Sequence, residues 1–188
     1  TGSRLVIADR GNNKLQLCNL DGVCEWRGND GSGGGEFSGR NMPGTYDLPH
    51  GVEVGPNGRI AIADEDNQLV QYCDDTGACV AKGETANTNA GCSSGLGKWC
   101  EPHDTAIDED GLIYAVDTGN KVVWYENTDG AGTFSTAQTI ANINDSAAAF
   151  AADVDNDGDI DVFSGSRSGT VDWHENNGLQ AFTQHQIS

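Results

Sequence analysis

A run of alternating aspartates near the C-terminal end of the chain contains the residue types that bind hard cations. Five aspartates fall within nine residues, and four of them stand in the order Asp-x-Asp-x-Asp-Gly-x-x-Asp, at Asp153, Asp155, Asp157 and Asp161. Such crowding is repulsive unless a cation is bound, and calcium accepts about six to eight oxygen ligands in a flexible shell. We therefore expect a structural calcium site formed by these four side chains and the backbone carbonyl of Asp159.

The surroundings of this loop distinguish it from a helical EF-hand, which it resembles at its start. The twelfth position is Ser164 instead of glutamate, and the flanking runs 148–152 and 160–163 have the character of strands. Magnesium is a weaker candidate because it demands a smaller octahedral cage. The alternative interpretation is an acidic surface turn without a metal.

The six cysteines also have an informative spacing, because two pairs of them straddle a predicted turn. Side chains that face each other across a tight hairpin are close enough to bridge. The predicted pairs are Cys18 with Cys24, Cys73 with Cys79 and, by elimination, Cys92 with Cys100. The alternative is free thiols or a metal cluster. Disulfides predict an oxidising compartment, outside the cell or at its surface.

Self-similarity along the chain indicates which elements position these residues. The apolar run 4–9 ends in aspartate and recurs at 59–64 and, more loosely, at 112–117, with Pro-His upstream of the second and third copies. Short apolar runs broken by Asn-Gly and Asp-Gly pairs predict strands joined by turns. Four such strands form a unit of propeller-blade size, and blades pack face to face around an axis. A β-sandwich would not predict this periodicity.

We therefore predict one all-β domain over residues 1–188, a β-propeller of about four blades of antiparallel strands. The approximate blade limits are 1–40, 41–90, 101–141 and 146–188. The first blade is expected to lack its innermost strand, because the chain starts where the second strand of the unit should begin. That blade stays three-stranded, or the strand comes from another part of the molecule or from a neighbouring chain. An incomplete ring cut from a larger protein is the rival interpretation.

The motifs resemble two families of repeats. Residues 4–127 resemble NHL repeats, through the patterns Pro-x-Gly-Val, Gly-x-Ile-x-Val-Ala-Asp and Gly-Asn-x-x-Ile visible within 49–69 and 4–17. Residues 146–188 look like an FG-GAP or VCBS repeat, through the aspartate run and through Trp-His-Glu-Asn at 173–176. Both families are propeller blades, and the resemblance implies calcium in the aspartate loop. It implies little about function, since propellers host many functions.

Two histidines give the sharpest hint of an active site. His50 and His103 follow prolines at equivalent places in neighbouring units, so both should point into the central channel. They resemble the zinc-binding histidines of peptidyl-amidoglycolate lyases, which are NHL-like propellers with three such ligands. A count back from the glycine turn puts Phe150 at the third place, and two imidazoles alone make a poor zinc site. The alternative is that each histidine fills the channel mouth and hydrogen-bonds a neighbouring strand.

The charge balance limits the partners. Acidic residues number 29 and basic residues 10, and this surface repels nucleic acids and anionic membranes. No apolar run approaches the roughly 20 residues that cross a bilayer, so no membrane insertion is expected. Asn144 begins an Asn-Asp-Ser sequence that fits the acceptor pattern for N-glycosylation.

These observations favour a secreted, calcium- and disulfide-stabilised structural or adhesive module that is not an enzyme. Such a module could be a subunit of an extracellular filament or surface assembly, as a homo-oligomer or polymer, because an open first blade invites strand addition. The first alternative is a propeller that binds a glycan or a protein. The second is a metal-dependent lyase or hydrolase that uses His50 and His103.

Overall fold

The computed structural model describes residues 4–28, 48–55, 58–74, 78–83, 101–117, 121–129 and 133–188. Within these ranges the chain forms fifteen β-strands and one short 3-10 turn at Arg10–Asn12. The strands make one three-stranded and three four-stranded antiparallel sheets, and strands that follow each other in the chain are neighbours in the sheet. The described residues include no helix with the length and apolarity needed to span a membrane.

Each sheet is a meander. The first contains β1 (Arg4–Asp9), β2 (Lys14–Asn19) and β3 (Cys24–Gly28). The second contains β4 (Pro49–Val54), β5 (Ile60–Asp64), β6 (Leu69–Cys73) and β7 (Cys79–Gly83). The third contains β8 (Pro102–Ile107), β9 (Ile113–Asp117), β10 (Lys121–Tyr125) and β11 (Gln138–Ala141). The fourth contains β12 (Ser146–Ala152), β13 (Asp161–Ser166), β14 (Val171–Asn176) and β15 (Phe182–Gln186).

Apolar side chains fill the spaces between successive sheets. Leu15 and Leu17 of the first sheet pack on Ile60 and Ile62 of the second. A second cluster joins sheets two and three, and a third cluster joins sheets three and four. The first strands of the four-stranded sheets, β4, β8 and β12, lie side by side. The fold is therefore a β-propeller with its sheets as four blades, as predicted, and blade 1 has three strands in the described residues.

Close approach between the inner strands depends on one glycine. A Cβ atom at Gly51 in β4 would overlap the Cα and side chain of Asp104 in β8. Asp104 in turn accepts a hydrogen bond from the backbone N–H of Ala149 in β12, at 3.0 Å. Burial raises the pKa of Asp104, while the backbone hydrogen bonds from Ala149 and Thr105 act against that shift. These contacts tie three successive blades together around the axis.

The aspartate that ends the repeated strand shapes the turn that follows it. Asp64 is fully buried, and its Oδ2 accepts hydrogen bonds from Asn67 at 2.8 Å and from Gln71 at 2.6 Å. Asp9 makes the corresponding bonds in blade 1, with Asn12 and Gln16 at 3.0 Å each. Equivalent side-chain hydrogen bonds thereby hold the turn in both blades. The residue after each aspartate is consequently placed at the same end of its blade.

The hairpin disulfides form as predicted. Cys18 faces Cys24 across β2 and β3, and Cys73 faces Cys79 across β6 and β7, with Cα atoms 3.9 and 4.0 Å apart. Each bridge closes the outer hairpin of its blade. The third predicted pair, Cys92 with Cys100, lies outside the described residues.

Candidate functional site

The two predicted channel histidines lie at matching irregularities in neighbouring inner strands. In β4 and in β8 the register shifts directly after the proline, at the histidine. Such a bulge adds a residue to one strand and re-aims a side chain. The bulges place the imidazole of His50 against that of His103, with ring centroids 3.4 Å apart.

The matching position in blade 4 holds an alanine. Ala147 lies in a third register shift, between Ser146 and Ala148. The expectation that Phe150 occupies this position is wrong, because Phe150 pairs with Phe163 and is 58% exposed on the face that turns away from blade 3. The loop between β12 and β13 is longer than the Asn-Gly and Asp-Gly turns, so counting back from its glycine misplaces the register.

His103 is fixed from both sides of its ring. The ring is 6% exposed, and its Nε2 lies 2.5 Å from Nη2 of Arg167. A guanidinium can only donate, so Nε2 must accept and the ring proton lies on Nδ1. Nδ1 then donates to the backbone carbonyl of Ala147, at 2.8 Å. Both the tautomer and the orientation of His103 follow from these partners.

Three charged residues near the histidines were missed by the sequence analysis. Arg10, Glu65 and Arg167 each come directly after the repeated strand, which ends in Asp9, Asp64 or Ser166. The blade repeat therefore brings them to the same mouth of the channel, beside His50 and His103. The blade repeat could have indicated these residues, because each stands one position after a repeated strand. The corresponding residue of blade 3 is outside the described residues.

We call Arg10, His50, Glu65, His103 and Arg167 the axial cluster. Arg10 and Glu65 form a forked ion pair between blades 1 and 2, with contacts of 3.0, 3.2 and 3.3 Å. Within the described residues, no carboxylate lies at ion-pair distance from Arg167. The axial cluster therefore retains the positive charge of Arg167.

His50 is the exposed member of the histidine pair. Partial desolvation, followed by the neighbouring His103, lowers its pKa below the ordinary value of 6.5. Glu65 opposes this shift, whereas Arg10 and Arg167 add to it. At neutral pH His50 is therefore an uncharged imidazole that solvent can reach and that is able to accept a proton.

A transition metal fits the axial cluster poorly. Both nitrogens of His103 already have partners, which leaves His50 as the one free imidazole. Zinc in proteins normally takes at least three protein ligands. The sole group of three or more potential metal ligands among the described residues is Asp153, Asp155 and Asp157.

The aspartate loop does gather three of the predicted calcium ligands. Asp153, Asp155 and Asp157 each offer a carboxylate oxygen, and these oxygens lie within 4.8 Å of one another. Backbone N–H groups of the loop donate to these carboxylates, including that of Gly158 to Asp153 at 3.2 Å. Gly158 has a φ of +96°, which glycine adopts without strain. A loop already wrapped around its carboxylates fits a hard cation such as calcium.

The structure does not bring Asp159 and Asp161 into this group. Asp161 is fully buried, and its carboxylate accepts the N–H groups of Asn176 at 2.8 Å and Val154 at 3.3 Å. It thereby ties the loop to β14. Asp159 was expected to use its backbone carbonyl, and its N–H donates to Asp157 at 2.9 Å. Their roles as ligands stay predictions.

Asn144, the predicted glycosylation position, precedes Asp145, whose backbone carbonyl accepts a hydrogen bond from Arg167 of the axial cluster. Asn144 is exposed in the turn between β11 and β12. His185 stacks on Trp173, with ring centroids 4.8 Å apart. His174 is fully buried, and its Nε2 lies 2.8 Å from Oγ of Ser164. Its partner across the sheet, Val162, belongs to the apolar cluster between blades 3 and 4, so His174 lies on the face towards blade 3.

The sequence matches models of two repeat families. The NHL repeat model matches residues 46–71, and the FG-GAP-like repeat model matches residues 107–164. Both resemblances seen in the sequence are thus confirmed. The FG-GAP-like match begins in blade 3 and ends within β13, earlier than the expected range of 146–188. No curated protein matches the sequence.

Several solved propellers resemble the chain closely in fold. Virginiamycin B lyase from Staphylococcus aureus has a TM-score of 0.63 at 14% identity, over 100% of this chain and 54% of its own. A gluconolactonase from Xanthomonas campestris has a TM-score of 0.63 at 14% identity, over 97% and 57%. Kuenenia stuttgartiensis hydrazine synthase has a TM-score of 0.64 at 12% identity, over 98% and 46%. The chain spans about half the length of these proteins.

These neighbours correct the expectation that the chain is not an enzyme. A streptogramin B lyase, with a TM-score of 0.62 at 15% identity, and the gluconolactonase are enzymes built on the same fold. The likeness at this identity shows the fold alone. The expectation rested on the absence of a third channel histidine and of nucleophile motifs, and it overlooked the charged side chains beside His50.

Proposed function

We propose that the axial cluster is an acid–base catalytic centre of a hydrolase or lyase, with His50 as the base. The observation that carries this proposal is that two histidines whose rings are in contact differ in their hydrogen bonding and exposure. His103 has both nitrogens engaged, whereas His50 is exposed and has a lowered pKa. Enzymes use histidine most often for proton transfer, because the pKa of an imidazole lies near the operating pH.

Each member of the axial cluster has a part in this proposal. His50 removes a proton, from water in a hydrolysis or from a substrate carbon in an elimination, and returns it to the leaving group. Arg167 stabilises the negative charge that develops on the substrate, because its guanidinium is fixed by His103. The ion pair of Arg10 with Glu65 links blades 1 and 2 beside the histidines. This chemistry differs from the metal-dependent reaction that was the second alternative from the sequence, because it uses His50 as a base instead of a metal ligand.

The test is a substrate screen with a matched pair of variants. The intact chain is assayed on chromogenic esters, lactones and substrates whose elimination creates an absorbing double bond. His50→Gln is expected to lower kcat/KM about a hundredfold or more, as for loss of a general base. His185→Gln removes a histidine at the edge of blade 4 and should leave kcat/KM unchanged. An unaltered rate in His50→Gln contradicts the proposal.

We also propose that the aspartate loop binds calcium and stabilises blade 4. Three clustered carboxylates support the proposal, since without a cation their charges repel one another. A bound ion at about a hundred times its Kd would stabilise the fold by about 2.7 kcal/mol. A chelator should therefore lower Tm, and Asp155→Asn should lower Tm and remove the effect of the chelator. A Tm that ignores both calcium and chelator contradicts the proposal.

The two hairpin disulfides support a secreted or cell-surface location. Isolation of the protein from its source with both pairs oxidised would agree with this. Recovery of free thiols at these four cysteines would contradict it.

A structural or adhesive role is a second candidate, compatible with catalysis. It is favoured by apolar side chains left exposed on the two end blades. Leu5 and Ile7 of blade 1 are 58% and 37% exposed, and Phe150 and Val171 of blade 4 are 58% and 39% exposed. Packing of blade 4 of one copy on blade 1 of the next would be a head-to-tail contact, which gives rings or filaments. Light scattering should detect such oligomers, and Phe150→Glu should dissociate them. A monodisperse monomer contradicts this head-to-tail assembly.

A further inference from the structure

Arg167 is placed as a receptor for an anion. Its backbone N–H donates to the carbonyl of Asp145 at 3.0 Å, which fixes the turn that carries it. Its guanidinium has five N–H donors, and the hydrogen bond that the structure gives it within the described residues goes to the neutral ring of His103. The side chains of Arg167 and His50 are both exposed, so a small molecule can reach them from solvent.

The net charge of the axial cluster favours a ligand with one negative charge. Arg10 is neutralised by Glu65 through the forked pair. Arg167 is the remaining cation, so the axial cluster carries a single positive charge in a chain whose net charge is −19. A carboxylate matches the planar fork of a guanidinium and brings one negative charge. A phosphate dianion would exceed the local charge and would be repelled by the acidic surroundings.

We infer that the axial cluster binds substrates that carry one carboxylate, with Arg167 as the residue that recognises it. This inference rests on the proposed function, because it names the substrate class of the same centre. The carboxylate would lie on Arg167 and bring a neighbouring atom of the substrate towards His50. Specificity would then come from a charge-assisted contact that a neutral analogue cannot make.

Binding of a minimal probe tests the inference without any turnover. Sodium L-lactate and its neutral analogue L-lactamide are titrated into the protein while the imidazole nitrogens of His103 are followed by NMR. Lactate should shift the Nε2 resonance, and lactamide should bind about tenfold more weakly or worse, as for loss of a charge-assisted hydrogen bond. Equal binding of lactate and lactamide overturns the inference.

Two variants identify the residue. Arg167→Gln should weaken lactate binding about tenfold to a hundredfold, and Arg167→Lys should weaken it less because the charge remains. Arg59→Gln is the matched control, since it removes the same charge from an arginine that lies over the ring of Tyr72 in blade 2. An equal loss in Arg59→Gln and Arg167→Gln would mean that lactate senses only net charge, which overturns the inference.

The failure of the inference is distinct from that of the proposed function. His50→Gln should keep lactate affinity within about threefold, because the carboxylate contact is made by Arg167. Lactate binding that requires Arg167, together with no turnover of any ester, lactone or elimination substrate, would sink the catalytic proposal alone. Turnover that depends on His50 without preference for carboxylates would sink the inference alone.

Discussion

His103 and His50 occupy the same place in successive blades and yet have different surroundings. The backbone of blade 4 and the Arg167 side chain hold the ring of His103, whereas no described residue is hydrogen-bonded to His50. A ring with both nitrogens engaged is suited to positioning. An exposed neutral ring is suited to proton transfer.

The lowered pKa of His50 predicts the pH dependence of catalysis. The active form is neutral, so kcat/KM should be constant above the pKa and fall about tenfold per pH unit below it. Because the charge of Arg167 disfavours protonated His50, Arg167→Gln should raise this pKa and move the acidic limb to higher pH. The measurement is the pH profile of each variant, with Arg59→Gln as control. A limb that stays in place, or moves to lower pH, contradicts the prediction.

Buried His174 predicts a loss of stability in mild acid. Burial lowers its pKa below the ordinary 6.5, so the unfolded chain takes up a proton before the folded chain does. The free energy of unfolding should therefore fall as pH drops below about 6.5, with a limiting slope near 1.4 kcal/mol per pH unit for one group. His174→Gln should show a shallower fall, measured by denaturant titration. The same slope in both proteins would count against this account.

At the scale of elements, the inner strands determine where the axial cluster lies. Periodicity, turn glycines and cysteine spacing were enough to predict the strands, the blades and two disulfides. The bulge after each proline could not be predicted, because it depends on pairing with the next strand, and Phe150 was misplaced as a result. Arg167 and His103 are 64 residues apart, and their contact arises only when blades 3 and 4 pack together.

The approach of β4 to β8 makes a prediction for Gly51. Alanine at this position would collide with Asp104, whose backbone cannot retreat because it is paired within blade 3. Gly51→Ala should destabilise the protein by about 1 to 3 kcal/mol, as for other overpacking changes. Gly11→Ala is the control, since nothing lies within 4 Å of its added Cβ. Equal free energies of unfolding for both variants would show that the strands are not so closely packed.

At the scale of the whole molecule, a repeated blade brings residues that are distant in sequence to one channel mouth. The surface is strongly acidic, with a net charge of −19. Like charges spread over a compact fold repel each other and reduce its stability. The axial cluster, in contrast, carries a single positive charge.

This self-repulsion predicts that salt stabilises the fold. Raising ionic strength to about 1 M shortens the Debye length to about 3 Å and screens the acidic surface, so Tm should rise. Choline chloride should act like sodium chloride, because screening does not depend on the identity of the cation. Differential scanning calorimetry in the presence of chelator makes the comparison. A rise with one salt alone would indicate specific ion binding instead.

The most direct test of the central claim is the long-range proton–nitrogen NMR spectrum of the four histidine rings at neutral pH. If the axial cluster is assembled as described, His103 carries its proton on Nδ1 with an unprotonated Nε2, and His50 is uncharged. His103 should lose this fixed tautomer in Arg167→Gln. A charged His50, or a His103 protonated on Nε2 in the unaltered protein, would contradict the acid–base centre.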